Sequence, residues 1–440
     1  MISELLRKRK RVAVWGLGYL GYTSILGLQE QGFGLRVFDL HEEPLRLFAE
    51  GKYPAPRMAE LWSESGYAPP VDYSRVEICR KPEEMFEGAA FHIVAIPLGY
   101  SPTEDRLSLL AKYFAKGVPA ADGPQVVIFL SAHVPGNIDK HFIAQLEAQG
   151  IHDGEQILVG TAFRSDWVTE EYFRQQASQV VGANTPTALQ AISDLYALLG
   201  RTVEPLPSIR EAEVLENARR SFRFAATGFI NQLSLCYQNV NMKRLSRLLL
   251  SGLNMEDCAP NMGAGGYKEP FAVQNLLEGA DSAKYFTTLA EFQSVNYTMP
   301  VYYAQALLRR GVRSVAVLGL TFSANRRDLT LSPAVTFANY LLEQKVEVLV
   351  NDPLFSPEAL ADIVPGARPC SVQEALGQAG AVALMTNHRA YRALSEAFVL
   401  ENIGSGLGIV LDNTGLWTRF QFPESVRYHE VGDGSLSLIV

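Results

Sequence analysis

Cysteine is scarce in this chain, four among 440 residues, and Cys79, Cys236, Cys258 and Cys370 stand too far apart to pair as metal ligands. Their scarcity argues against a disulfide-stapled scaffold and for a reducing compartment, so a cytoplasmic protein without a metal site is expected. Positive charge is also short: 39 Lys and Arg face 47 Asp and Glu, a net charge of −8. Nucleic-acid binding usually needs a basic surface, so nucleic acid is not an expected partner, and an anionic ligand must be held by local groups. Long apolar runs are missing too. None approaches the ~18 residues of a membrane span, so no membrane partner is expected. Arg7-Lys-Arg-Lys-Arg11 before an apolar run imitates the start of a signal peptide, but that run leads into patterned glycines and reads as a strand. At 48% hydrophobic and 20% charged residues, a chain of this length is read as a soluble protein of two or three domains.

What the chain does have is glycine at meaningful spacing. Arg11-Val-Ala-Val-Trp-Gly-Leu-Gly-Tyr-Leu-Gly21 leads through a short helical pattern to Leu35-Arg-Val-Phe-Asp39. Gly16 allows a tight turn out of the strand, Gly18 allows backbone N–H groups to approach a pyrophosphate, and Gly21 allows close helix packing. The pyrophosphate would sit at a helix N-terminus, where unpaired N–H groups and the helix dipole favour an anion. Asp39, about twenty residues on, can accept both ribose hydroxyls of NAD and would repel a 2′-phosphate. The order strand, glycine triplet, helix, strand, acid therefore points to NAD.

Further strands are expected at Phe91 to Ile96, Val126 to Leu130 and Gln156 to Val159, alternating with helices, as in a parallel sheet covered on both faces. From Ser208 to Leu253 the pattern becomes a long helical segment. Leu215, Ala218, Phe222, Ala225, Phe229 and Leu233 recur on one face, giving an apolar stripe that suits a bridge between domains or a dimer seam. A second α/β pattern starts at Ser314-Val-Ala-Val-Leu-Gly-Leu320 and continues through Val346 to Asp352, Ala381 to Met385 and Gly408 to Asp412. After Gly319 no further glycines follow at the fingerprint spacing, so this half echoes the architecture without the same cofactor site. The expected fold is α/β: two Rossmann-like, doubly wound parallel-sheet domains joined by a long central helix.

Several polar residues interrupt these patterns. Glu216, Arg219, Arg220 and Arg223 share one side of the early central helix, where Glu216 can serve as a general base and Arg220 as an anion anchor, or all four form a solvated ion-pair ladder. Asn231, an amide in an apolar helical setting, needs partners if buried, and either contacts substrate or holds a loop or helix bend. His133 stands at the strand end where Rossmann proteins approach the nicotinamide. Gly263, Gly265 and Gly266 leave a loop with little steric cover, open to a ligand or simply flexible.

Taken in order, Gly16-Leu-Gly-Tyr-Leu-Gly21, Ile96-Pro97, Val134-Pro-Gly136, the Glu213 to Gln232 helix ending in Phe229-Ile-Asn-Gln, Gly263-Ala-Gly-Gly-Tyr267, Asn296, Val317-Leu-Gly-Leu-Thr-Phe322, Ser332-Pro333, Asn351-Asp-Pro353 and Leu411-Asp412 resemble the UDP-glucose/GDP-mannose dehydrogenase family nearly end to end. The resemblance implies three parts: an NAD domain (1–205), a central helical dimerising domain (206–300) and a C-terminal domain holding the nucleotide of a nucleotide sugar (301–440). It extends the cofactor site from Gly16, Gly18, Gly21 and Asp39 to Tyr19, Leu20, Pro97 and Ala132, and places substrate at Gly263, Gly265, Gly266 and Tyr267. It also implies a homodimer. Family members oxidise a sugar C6 alcohol to a carboxylate through a thioester-forming cysteine. Here the departures begin. The cysteine's place is Lys268, the aspartate four residues on is Ala272, and the lysine and asparagine of the central helix are Glu216 and Arg220. The proline-glutamate pair aligns with Thr161-Ala162, and the basic residues of the C-terminal domain with Ser323 and Thr330. Lysine cannot form a hydrolysable thioester, but it can form an imine, move a proton or neutralise a phosphate. The candidate catalytic set is thus Lys268, Glu216, Arg220 and Asn231. A single two-electron oxidation is expected rather than oxidation to the acid, with a redox-neutral isomerase or a silent relative as the alternative.

Overall fold

The computed structural model describes residues 10–52, 71–96, 103–131, 133–163, 178–251, 260, 262, 270–325, 327, 329 and 331–438. The chain divides into two compact units, one of residues 1–219 and 271–283, the other of 220–270 and 284–440.

The first unit is built on β1 (Arg11–Trp15), β2 (Leu35–Phe38), β3 (Val76–Ile78), β4 (Ala89–Val94), β5 (Gln125–Phe129), β6 (Ile157–Thr161), β7 (Ser178–Ala183) and β8 (Thr202–Leu206). They lie in the order β3-β2-β1-β4-β5-β6-β7-β8, parallel except where β6 meets β7. Connecting helices include α1 (Tyr19–Glu30), α2 (Glu42–Ala49), α3 (Thr103–Gly117), α4 (Ala144–Glu147) and α5 (Pro186–Leu198). Period-two alternation divides β1 between two cores. Val12 and Val14 join one with Ile25 and Phe91, while Ala13 and Trp15 join the other with Phe86 and Phe114. Burial on both faces explains why these strands read as continuous apolar runs.

The second unit repeats the plan with β9 (Ser314–Leu318), β10 (Glu347–Asn351), β11 (Arg368–Pro369), β12 (Ala381–Leu384), β13 (Ile409–Asp412) and β14 (Arg427–Glu430), all parallel in the order β11-β10-β9-β12-β13-β14. Both sheets reverse strand order beside their first strand, as doubly wound sheets do.

The long helical segment expected over 208–253 is two helices, α6 (Ile209–Cys236) and α7 (Met242–Ser251), separated at Asn239 by a positive φ of 70° that no helix tolerates. The first unit also contains α8 (Pro270–Gly279), and the second α9 (Thr287–Arg309) and α10 (Pro333–Glu343). Helix α6 buries polar residues as well as Phe224 and Ile230. Phe222 and Phe229 of its apolar stripe are 65% and 45% exposed, whereas Glu213, Glu216, Asn217, Ser221, Thr227 and Asn231 are each at most 3% exposed. Among the described residues no helix is long and apolar enough to cross a membrane.

Candidate cofactor site

At the end of β1 the chain turns at Gly16, with φ +96°, and its N–H donates to the Phe38 carbonyl of β2. A Cβ at Gly16 would lie 2.9 Å from the Ala95 carbonyl oxygen, and one at Gly21 would lie 1.8 Å from the Gly16 carbonyl oxygen. Internal packing therefore dictates both glycines. Gly18 is different. A Cβ there would meet nothing within 4 Å, and the residue is exposed with an ordinary negative φ of −66°. Among the described residues nothing requires glycine at this place.

Gly18 is also the N-cap of α1. No side chain caps that end and no acidic residue lies in its first turn. The first N–H groups of a helix have no partner within it, so this end attracts an anion. Leu20 is half-buried against the first core; the backbone of Tyr19 begins the helix. Asp39 sits at the end of β2 with Oδ2 accepting from the Leu17 N–H at 2.7 Å and Oδ1 from His41 N–H at 2.9 Å. Its carboxylate thus fixes the fingerprint turn as well as presenting charge beside it.

The second unit shows the same turn closed from within. Gly319 has φ +89° and donates to the Asn351 carbonyl, and Asp352 accepts from Leu320 and Thr321 N–H at 2.8 and 3.1 Å. The helix that follows is capped by Ser332, whose hydroxyl accepts from Val335 N–H and donates to the Leu320 carbonyl. Thr386 crowds Gly319, since a Cβ there would lie 2.6 Å from the threonine Cβ. Buried His388 takes the Asn325 N–H on Nδ1 and brings Nε2 within 3.1 Å of Asp352 and 3.0 Å of Thr321 Oγ1. Burial opposes ionisation of Asp352, yet the His388 hydrogen bond holds its carboxyl below the usual range. Where the first turn is open and its helix uncapped, the second is filled.

The other expected residues fall as follows. Glu216 is buried on α6 and Arg220 half-buried, while Arg219 and Arg223 are exposed. Burial of Glu216 rules out a fully solvated ladder. Asn231 has no exposed surface, and its Nδ2 donates to Asn296 Oδ1 at 2.9 Å on α9. Beside it, Gly228 lets the helices touch: a Cβ there would lie 2.7 Å from Phe292 Cβ. The Asn231–Asn296 bond ties α6 to α9, where a loop or a helix bend is the alternative to substrate contact read from the sequence. His133 is buried between Phe129 and Phe163, and burial pushes it down to about 3, so it is a neutral core ring at physiological pH. Pro97, Ala132, Gly263, Gly265, Gly266, Tyr267 and Lys268 lie outside the described residues, as do Cys258 and Thr330. Cys79 and Cys370 are buried, with thiols pushed up by burial to about 11 and about 12, so neither supplies a thiolate.

Sequence reasoning passed over Glu213, Asn217 and Asn275. Asn217 donates to the His133 carbonyl and accepts from Asn275, and Glu213 accepts from Gly136 N–H. The available signal was the polar stripe of α6, opposite the apolar one.

Two doubly wound sheets in tandem, the first with an open glycine turn, an uncapped helix and an acid ending β2, define a doubled dinucleotide-fold protein. Residues 316–418 match the UDP-binding domain of the UDP-glucose/GDP-mannose dehydrogenase family. A UDP-N-acetyl-D-mannosamine dehydrogenase of Methanocaldococcus jannaschii is 20% identical over a 444-residue alignment covering 97% of each chain. The structure of a UDP-glucose dehydrogenase from Pyrobaculum islandicum superposes with a TM-score of 0.80 at 20% identity, covering 96% of this chain and 98% of the other. That of a UDP-D-ManNAc dehydrogenase from Pyrococcus horikoshii gives 0.78 at 20% identity, covering 96% and 99%. Residues 316–418 thus match one domain of this family, and the fold of the chain is that of these solved dehydrogenases.

Proposed function

We propose that the protein is an NAD-dependent oxidoreductase acting on a CH–OH group of a nucleotide-linked sugar, and that it stops after one two-electron step. Gly18 carries this reading: a glycine that no internal contact requires, at the uncapped N-terminus of α1. In this reading the α1 N–H groups hold the pyrophosphate, with Tyr19, Leu20, Pro97 and Ala132 completing the cofactor site. Asp39 takes the adenosine ribose. NAD, when bound, supplies the hydride acceptor. Glu216 takes the hydroxyl proton, Arg220 holds an anionic group of the substrate, and Asn231 keeps α6 in place through Asn296. Gly263, Gly265, Gly266 and Tyr267 line the sugar, and Lys268 stands where a thiol would be needed for the second oxidation.

The exposed apolar residues of α6 and α7, Phe222, Phe229, Leu245, Leu248 and Leu249, support self-association of the 206–300 region into a homodimer. Lys268 in the thiol's place also favours a second reading, a redox-neutral reaction in which NAD takes and returns one hydride. Anaerobic incubation with NAD and a panel of UDP-, GDP- and dTDP-sugars separates the two. NADH appearing with a product lighter by about two mass units supports the single oxidation. A mass-neutral product supports the isomerase, and a product heavier by about 14 mass units, the gain of one oxygen with loss of two hydrogens on full oxidation to the acid, would overturn both.

A further inference from the structure

The loop leaving β5 lies on the opposite side of the β1/β4 switch point from Asp39. A dinucleotide crossing a doubly wound sheet puts its two halves on these two sides. With adenosine at Asp39, the nicotinamide half belongs on the β4 and β5 side. The backbone of the β5 loop is bonded there by polar side chains as well as packed into the core through Ile138. Glu213, with no exposed surface, accepts from Gly136 N–H at 2.7 Å. One turn further along α6, Asn217 Nδ2 donates to the His133 carbonyl at 2.8 Å. Its Oδ1 accepts from Asn275 Nδ2 at 3.0 Å, which ties α8 to the same point. At its other end α8 meets the loop directly, since a Cβ at Gly279 would lie 2.7 Å from Pro135 Cδ. Arg210 closes the arrangement, donating to the Gly279 carbonyl at 3.3 Å and to Asp281 at 2.8 Å.

Directional bonds to His133 and Gly136 fix the orientation of this backbone, which apolar contacts alone leave freer to slide. Gly136 has φ +93°, a turn that needs such support. We propose that Glu213, Asn217 and Asn275 are positioning residues that hold the β5 loop in register for the nicotinamide half of the cofactor, an assignment that rests on the NAD reading above. None of the three touches the reacting atoms; they act through the loop. Burial pushes the Glu213 carboxyl up to about 8, against the opposing hydrogen bond from Gly136, so glutamine is its closest neutral replacement.

The test compares two ligands on the full chain: ADP-ribose, which lacks the nicotinamide ring, and NADH. Asn217→Ala and Glu213→Ala are expected to bind ADP-ribose within about twofold of the parent and NADH at least about tenfold more weakly. Glu213→Gln is expected to recover NADH affinity. Asn275→Ala, at a half-buried position, carries the test if the other alanine variants fail to fold. Equal weakening of both ligands, or of neither, would overturn the proposal and leave the cofactor reading standing. A parent chain that binds neither ligand would overturn the cofactor reading and this proposal with it.

Discussion

At the scale of single residues, the three fingerprint glycines do different work. Their spacing is legible in the sequence, but which of them answers to the chain and which to a ligand is not, because that depends on Ala95 and on the Gly16 carbonyl, contacts made across the fold. Gly21→Ala would push a methyl into the Gly16 carbonyl oxygen. It is expected to cost about 1–3 kcal/mol in a denaturant titration, and an unchanged midpoint would mean the turn relaxes freely. In the sequence Asp39 reads as a candidate ribose acid. Its second task, accepting the Leu17 N–H, is not legible there, although Asp352 and Leu320 repeat it in the other unit. Asp39→Asn keeps the shape but loses the charge. It is expected to lower stability by about 1 kcal/mol and to erode the preference for NAD over NADP. Unchanged selectivity in paired titrations would remove Asp39 from the ribose.

At the scale of elements, α6 shows how a helix can be legible while its buried polar face is not. The spacing of Leu215, Ala218, Phe222, Ala225, Phe229 and Leu233 announces a helix and offers a bridge or a dimer seam, but says nothing of the polar residues beside it. In the structure Glu213, Glu216, Asn217 and Asn231 are inside, each able to bond a loop or a neighbouring helix, and Phe222 and Phe229 are outside. Such polar burial is invisible to a hydrophobicity count, because the partners that satisfy the polar face come from 133, 136, 275 and 296, far away in sequence. The exposed stripe has its own consequence. Phe222→Asp combined with Phe229→Asp is expected to halve the solution mass in sedimentation equilibrium while leaving the circular dichroism spectrum intact. A parent that is already monomeric would overturn the proposed dimer, and a variant that still associates would place the contact elsewhere.

At the scale of the whole molecule, the doubled architecture was the most legible feature, since two apolar first strands with the same Val-Ala-Val run and a following glycine announce it. Less visible were β7 and β8. β8 includes Pro205, and β11 is only two residues long, too short to signal. Electrostatic consequences of burial also belong to this scale. His92 accepts from Trp15 Nε1 at 3.1 Å and bonds Gln125 at 2.8 Å, and burial pushes it down to about 4, as it pushes His133 down to about 3. Unfolding restores both rings to about 6.5, so the unfolded chain binds their protons more readily. Their stability contribution is complete above that pH and is lost as pH falls through it toward 4 and 3, by up to about 1.4 kcal/mol per pH unit for each ring. His133→Phe keeps an aromatic ring between Phe129 and Phe163 and is expected to flatten the fall in melting temperature between pH 6 and pH 4, a range set by these shifts ~. An unchanged slope would show that folding does not shift the titration of His133.

The central claim is that the β1 turn is open for a dinucleotide from outside and not merely loose. NADH titration of the parent and of Gly18→Val, followed by fluorescence with melting temperatures recorded in parallel, tests it most directly. The variant is expected to keep the parent melting temperature, because space around Gly18 is free, and to lose NADH affinity by at least about tenfold, because that space is where the pyrophosphate must approach. Equal NADH affinity in the two proteins, or no binding by the parent, would contradict the account.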